Sequence, residues 1–168
     1  MTRRSPARAP WRRLSTRPVY ENRWIRVRED QVELPDGRTT IYGVVHCGPC
    51  VGVLPFLDRD TVMLVGQYRY VAGDFYWEMP TGGIKPGESE EAAAQRELAE
   101  EAGYHAERLQ KLYLAEGLRP VERRADPTEF IEVRAFPFDE AVRMVERDEI
   151  KDSMTIIAVL HAARLRAR

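Results

Sequence analysis

No apolar run in the 168 residues comes near the about 18 that a membrane-crossing helix needs. The N-terminal residues show no apolar stretch followed by a small-residue cleavage site, so no secretory leader is expected and a cytoplasmic location follows by default. An excess of either charge is also missing. Lys and Arg number 26 against 27 Asp and Glu, for a net charge of -1, which makes no general case for a nucleic-acid or membrane partner. Acids are absent locally: residues 1–17 hold Arg3, Arg4, Arg8, Arg12, Arg13 and Arg17 and no carboxylate. The expectation is a solvated basic tail over 1–17, with an arm that holds RNA or a protein as the alternative. Cysteine is scarce. Cys47 and Cys50 stand in "HCGPC" at the C-x-x-C spacing of redox sites. Such a motif opens a helix, where the dipole activates the first thiol. The apolar "VGVLPFL" that follows reads as a strand. Two more zinc ligands at suitable spacing are not in evidence either. The pair is read as a turn between strands, with redox or metal work as the alternative.

What is present describes one ordinary globular domain over 18–168. Hydrophobic residues make up 43% and charged residues 32%, enough for a single real core. Apolar residues alternate over Trp24–Leu34 and again over Thr39–His46, joined by "PDGR", a hairpin signal. Val51–Leu57, Thr61–Tyr70 and Phe75–Pro80 read as further strands, followed by the glycine-rich "TGGIKPGE". A helix rich in Ala, Glu, Gln and Leu is expected from Ser89 to Ala102, with Gly103 placed to end it in the left-handed conformation. "KLYLAEGL" and "EFIEVRAFPF" read as strands, and Asp139–Arg147 and Ser153–Arg166 as closing helices. No internal repeat and no linker appear. Hairpin-joined strands with helices packed on them predict an α+β fold, an α/β/α sandwich around a mixed sheet.

The acidic helix carries the chemistry. Glu97, Glu100 and Glu101 are spaced i, i+3, i+4 and share a face. Three carboxylates there repel one another, and a hard divalent cation such as Mg²⁺ or Mn²⁺ turns that repulsion into ligation. Ala94 and Leu98 occupy another face and can anchor the helix. Gly82, Gly83 and Gly87 in the preceding loop allow the backbone to approach a ligand closely. A solvated glutamate face is the plainer meaning of such a run, but the pattern of residues is more specific than charge.

The stretch "GGIKPGESEEAAAQRELAEEAGY" resembles the Nudix box, G-x5-E-x7-R-E-U-x-E-E-x-G-U, where U is apolar. Gly82, Glu88, Arg96, Glu97, Leu98, Glu100, Glu101 and Gly103 fall in place, and Tyr104 is a loose fit to the last position. "GQYRY", "WEMPTGGIKPGE" and "EIKDSMTIIAVLHAA" resemble the ADP-ribose pyrophosphatase branch of that family, over roughly Val19 to Ala163. The resemblance implies hydrolysis of the pyrophosphate of a nucleoside diphosphate derivative such as ADP-ribose, to AMP and a sugar phosphate. It also implies Mg²⁺, with Mn²⁺ possible, and a homodimer. By position, Glu97 and Glu101 resemble the main metal ligands, Glu100 a further ligand or the base, and the Thr81 carbonyl a completing ligand. Arg96 and Glu88 resemble the pair that orients the glutamates. Arg69 resembles a substrate-binding arginine, and Glu78 a ribose contact or simply a polar strand residue. Gly82 and Gly83 would lie against substrate.

The sequence departs from that branch after the helix. There a strand, then a loop carrying an acid that often serves as base, precedes the segment like "LYLAEGL". Here "AERLQK" joins it directly, with roughly 15 residues fewer. No Asp or Glu stands between Glu107 and Glu116. Pro120 stands sixteen residues beyond Tyr104, the spacing of a proline that marks ADP-ribose hydrolases, but it follows a strand rather than sitting in that loop. Two alternatives follow: a Nudix-fold sensor that binds a nucleotide sugar without cutting it, and a hydrolase of capped RNA held by the basic segment.

Overall fold

The structure, a computed structural model, describes residues 11–110, 114–124 and 130–167. The chain divides into two compact units, one up to Pro49 and one from Cys50. Residues 18–168, expected as one domain, span both units. The sequence shows no linker there because Gly48 and Pro49 alone make the join.

The first unit is an antiparallel sheet in the order β1 (Arg12–Glu21), β2 (Ile25–Glu33), β3 (Thr39–Cys47). Strand β1 takes in Arg12, Arg13 and Arg17, so the boundary expected at residue 17 is moved back to Arg12; residues 1–10, with Arg3, Arg4 and Arg8, lie outside the described residues. The acids that answer these arginines come from the neighbouring strand. Arg12 pairs with Glu33 and Arg17 with Glu29, each at 2.8 Å. Both pairs are exposed and contribute about 0.2–1 kcal/mol each. Backbone pairing to β2 does most of the ordering, and a local reading of charge does not see it. Cys47 closes β3 and Cys50 opens the next strand, the turn expected of "HCGPC".

The second unit holds β4 (Cys50–Gly52), β5 (Leu54–Pro55), β6 (Thr61–Arg69), β7 (Asp74–Glu78), β8 (Thr81–Gly83), β9 (Tyr104–Gln110), β10 (Leu114–Pro120) and β11 (Glu132–Pro137), with helices α1 (Glu90–Glu97), α2 (Phe138–Glu146) and α3 (Ser153–Arg166). Strands pair as β5-β10-β9, β11-β6-β7 and β4-β8; β5 and β10 run parallel and the other pairs antiparallel, so the sheet is mixed as expected. The strands are apolar on both faces. Val53, Val65 and Ala115 join the core under α1, with Ala93, Ala94 and Leu98. Their sequence neighbours Leu54, Leu64 and Leu114 join the opposite core, with Phe138 and Met144 of α2 and Ala158 and Val159 of α3. Alternation along a strand sends adjacent side chains to opposite faces, so continuous apolar runs mean cover on both sides. The result is the predicted α/β/α sandwich. Each fully buried leucine stabilises it by about 1.5–3 kcal/mol.

Tyr104–Gln110, expected as a bare connection, is a full strand. It pairs antiparallel with β10 from Tyr104↔Pro120 to Gln110↔Leu114. Ala, Glu, Arg and Gln have weak strand preference, and cross-strand pairing overrides it. Pro120 is therefore the end of β10 rather than part of a loop. Of "KLYLAEGL", residues 111–113 lie outside the described residues.

Candidate active site

Ser89 begins the acidic helix: its Oγ accepts from the Ala92 N–H at 3.2 Å, as an N-cap does. The helix is α-helical only to Glu97. Leu98–Ala102 form a π-helical turn, which the sequence did not announce, and Gly103 ends it at φ 76°. Such turns recur at functional sites because they re-aim side chains. Glu97 and Glu101 are both more than nine-tenths buried, whereas the Glu100 side chain is 34% exposed.

The glycine loop meets this helix at three points. Glu101 Oε2 accepts from the Thr81 backbone N–H at 3.0 Å. A Cβ on Gly82 would stand 2.1 Å from the Glu97 carboxyl carbon, so only glycine fits there. The Gly83 carbonyl accepts from Arg96 Nη2 at 2.7 Å.

Arg96 is the hub. Its Nε and Nη2 each donate to the Glu88 carboxylate at 2.9 Å, a two-pronged pair. Its Nη1 donates to Glu97 at 2.6 Å and to Glu100 at 2.9 Å. Glu88 also accepts from the Lys85 backbone N–H at 2.9 Å. The Arg96 hydrogen bonds, then the Lys85 N–H, hold the Glu88 carboxyl down at about 2, against an ordinary 4.5. Glu88, first among its acid partners, pushes the Arg96 guanidinium pKa up. A depressed carboxyl pKa stabilises the fold above the unfolded value and loses that contribution as pH falls. Thermal melts should therefore fall between about pH 4.5 and pH 2, and Glu88→Gln should flatten that part of the profile. Identical acid profiles for the two chains would show that Glu88 is not clamped.

Arg69 and Glu78 form a second centre. They face each other across the β6–β7 hairpin, Arg69 Nε to Oε1 at 3.0 Å and Nη2 to Oε2 at 2.5 Å. The Glu78 hydrogen bonds raise the Arg69 pKa, with smaller contributions from the charges of Glu101 and Asp152. The sequence named both residues but not their pairing, which occupies the Glu78 carboxylate.

Sequence reasoning missed the clamp beneath the site. Asp152 caps α3, accepting from both the N–H and the hydroxyl of Thr155 at 2.7 Å. The fully buried Thr155 hydroxyl in turn accepts from the Met79 N–H at 3.0 Å. This fixes Met79 and, with it, the run into Thr81. The signal was an Asp placed just before a helix, in "KDSMT".

The donor set suits a hard divalent cation: oxygen only, from buried carboxylates beside a glycine that leaves room. Among the described residues no three acidic, histidine or cysteine side chains are gathered to hold an ion. Arg96 and the Thr81 N–H engage the box carboxylates instead.

The family profile of the NUDIX domain matches residues 48–158, and that of the nucleoside diphosphate sugar hydrolase N-terminal domain matches 11–45. The chain is 31% identical to an ADP-ribose pyrophosphatase of Bacillus subtilis (strain 168) over 159 residues, covering 84% of this chain and 86% of that one. It is 30% identical to a methanol dehydrogenase activator of Bacillus methanolicus over 164 residues, 87% of this chain and 89% of that protein. A crystal structure of an ADP compounds hydrolase superposes with a TM-score of 0.80 at 22% identity, over 93% of each chain, which shows a shared fold. No helix among the described residues is long and apolar enough to cross a membrane.

Proposed function

The chain belongs to the Nudix hydrolase family and is a metal-dependent diphosphatase of nucleoside diphosphate derivatives, and on that premise we propose that it cleaves ADP-ribose, or a related nucleotide sugar, to AMP and a sugar phosphate. The observation that carries the reading is that Arg96 holds Glu97 and Glu100 and the Gly83 carbonyl while the Thr81 N–H holds Glu101.

We assign Glu97, Glu101 and Glu100, with the Thr81 carbonyl, to a divalent cation, Mg²⁺ first and Mn²⁺ as the alternative. When bound, such a cation neutralises the diphosphate and lowers the pKa of attacking water. The residues do the rest. Arg96, braced by Glu88, holds Glu97 and Glu100 in place before the cation arrives. Gly82 and Gly83 let the diphosphate approach the backbone. Arg69 offers Nη1 to substrate oxygens, because Nε and Nη2 are engaged by Glu78. Glu78 serves as the brace that aims it. Glu100, the most exposed of the three acids, takes the proton of the water as its oxygen bonds to phosphorus and the bridging P–O bond breaks. The short β9–β10 connection supplies no acid for that task.

A homodimer belongs to the same proposal. In the first unit Ile41, Tyr42 and Val45 are exposed on β3 and Trp24 in the turn before β2, apolar surface of the kind that partners cover. A cytoplasmic location is part of the same proposal, and cell fractionation checks it.

The test is a Mg²⁺-dependent hydrolysis panel of ADP-ribose, GDP-mannose, NADH, diadenosine polyphosphates and capped RNA. ADP-ribose should give the highest kcat/KM. Undetectable turnover of ADP-ribose overturns the substrate assignment, and preferred turnover of capped RNA favours the alternative. Light scattering on the same preparation should give twice the chain mass; a monomer disposes of the dimer.

A further inference from the structure

The two halves of the candidate site meet on one short crossing. Strand β7 ends at Glu78, whose carboxylate braces Arg69, and β8 begins at Thr81, whose N–H holds Glu101. Only Met79 and Pro80 lie between them. We propose that the hydroxyl of Thr155, held by Asp152, is a positioning group for the reaction: through the Met79 N–H it sets the spacing between Arg69 and the Thr81 backbone. The proposal rests on the roles given above to Arg69 and Thr81, substrate and cation, and adds the device that keeps the two in register.

The backbone of the crossing has few ways to be held. It lies outside both strand ladders, and Pro80 has no N–H. The Met79 N–H is therefore its one backbone donor, and it goes to Thr155 Oγ1 at 3.0 Å. The Pro80 carbonyl accepts from the Val53 N–H at 3.0 Å. Both residues are buried, where an unmade backbone hydrogen bond is costly.

Thr155 is fully buried, and the core alone would be served as well by a valine of nearly the same shape. Its hydroxyl has both of its roles filled. It donates to Asp152 Oδ2 at 2.7 Å, which leaves its lone pairs for the Met79 N–H. Asp152 also accepts from the Thr155 N–H at 2.7 Å, so one carboxylate fixes both the backbone and the side chain of Thr155. Bonds to a charged acceptor are the strong ones, and this one locks the hydroxyl rotor. The start of α3 also stands within electrostatic reach of Arg69. Glu78 does most to raise the Arg69 pKa, and the charges of Glu101 and Asp152 add to it.

A shift at Met79 passes directly to Glu78 on one side and through Pro80 to Thr81 on the other. A misplacement of about 1 Å between reacting groups costs about a hundredfold in rate. Holding a diphosphate demands less precision than in-line attack on it, so the loss falls on kcat rather than on KM.

The test joins kinetics to amide hydrogen exchange by NMR. Kinetics use saturating Mg²⁺ and the panel substrate with the highest kcat/KM, well below the melt of each variant. Thr155→Val should lower kcat about ten- to a hundredfold and leave KM within about threefold. Without Mg²⁺, exchange of the Met79 and Thr81 amides should quicken at least about tenfold, while that of Ala106, bonded to Gln95 Oε1 at 3.1 Å, should keep its wild-type rate. Thr155→Ser returns the hydroxyl without the methyl. It should recover kcat to within about threefold of wild type although its melting temperature stays lower. Should Thr155→Val not fold, Asp152→Asn takes its place: asparagine still caps the helix but grips the hydroxyl without charge, and kcat should fall about three- to tenfold. Wild-type kcat in the variant read, equal quickening of all three amides, or a serine variant as slow as the valine one overturns the positioning role and leaves the diphosphatase reading standing. If the wild type hydrolyses no substrate in the panel, that reading falls and the positioning role with it.

Discussion

Glu101→Gln should lower kcat/KM at saturating Mg²⁺ by about a hundred- to a thousandfold, which corresponds to about 3–4 kcal/mol of lost transition-state stabilisation. The substitution changes charge and almost nothing else. A glutamine carbonyl still accepts from the Thr81 N–H, so the 3.0 Å contact between helix and loop survives. What disappears is the negative charge that makes a buried oxygen a good ligand for a hard cation. The melting temperature should therefore change little, because the Thr81 contact survives and the charge interaction lost with Arg69 is weak. Steady-state kinetics with ADP-ribose and a thermal melt on the same sample separate the two effects. A variant that keeps more than a tenth of wild-type kcat/KM would show that Glu101 does not ligate the cation.

Arg96→Met should cost stability as well as activity. Arg96 is 18% exposed and bonds Glu88, Glu97, Glu100 and the Gly83 carbonyl. Removing it leaves three acids without their shared counter-charge and a loop carbonyl without its donor. Breaking a buried pair costs about 3–5 kcal/mol, and partial exposure here brings the expectation to about 2–4 kcal/mol. The diagnostic is the response to Mg²⁺. If the carboxylates that Arg96 holds are the ligands, the cation takes over part of its role, and Mg²⁺ should raise the melting temperature more in Arg96→Met than in the wild type. Arg96→Lys should not restore the wild-type melt, because one ammonium cannot reproduce the fork across Glu88. An unchanged melt in Arg96→Met, or the same Mg²⁺ response in both chains, would sink the hub assignment.

The box was legible because its information is local. Glu97, Glu100 and Glu101 stand within five residues of one another, and Ser89 and Gly103 bound the helix through their own cap chemistry. The sandwich was legible for a similar reason: Val53–Leu54 and Leu64–Val65 are continuous apolar pairs, and a strand can bury such pairs only between two layers. Strand β1 was not legible, because Glu29 and Glu33, which answer Arg17 and Arg12, stand 12 and 21 residues away. Strand β9 was hidden by residues that prefer helix, and it exists because β10 pairs with it. The division at Pro49 left no compositional trace at all.

By itself, then, the sequence determined that one short helical stretch carries Glu97, Glu100 and Glu101, whereas the π-helical turn over Leu98–Ala102, which buries Glu97 and Glu101 and leaves Glu100 half-exposed, came only with the structure. The pairing of Arg69 with Glu78 and the hold of Thr155 on Met79 across 76 residues were decided only by the tertiary structure. Each depends on which strand lies beside which and where a helix N-terminus lands on the sheet. Those are set by the closing of two cores at once, and no window of neighbouring residues contains them.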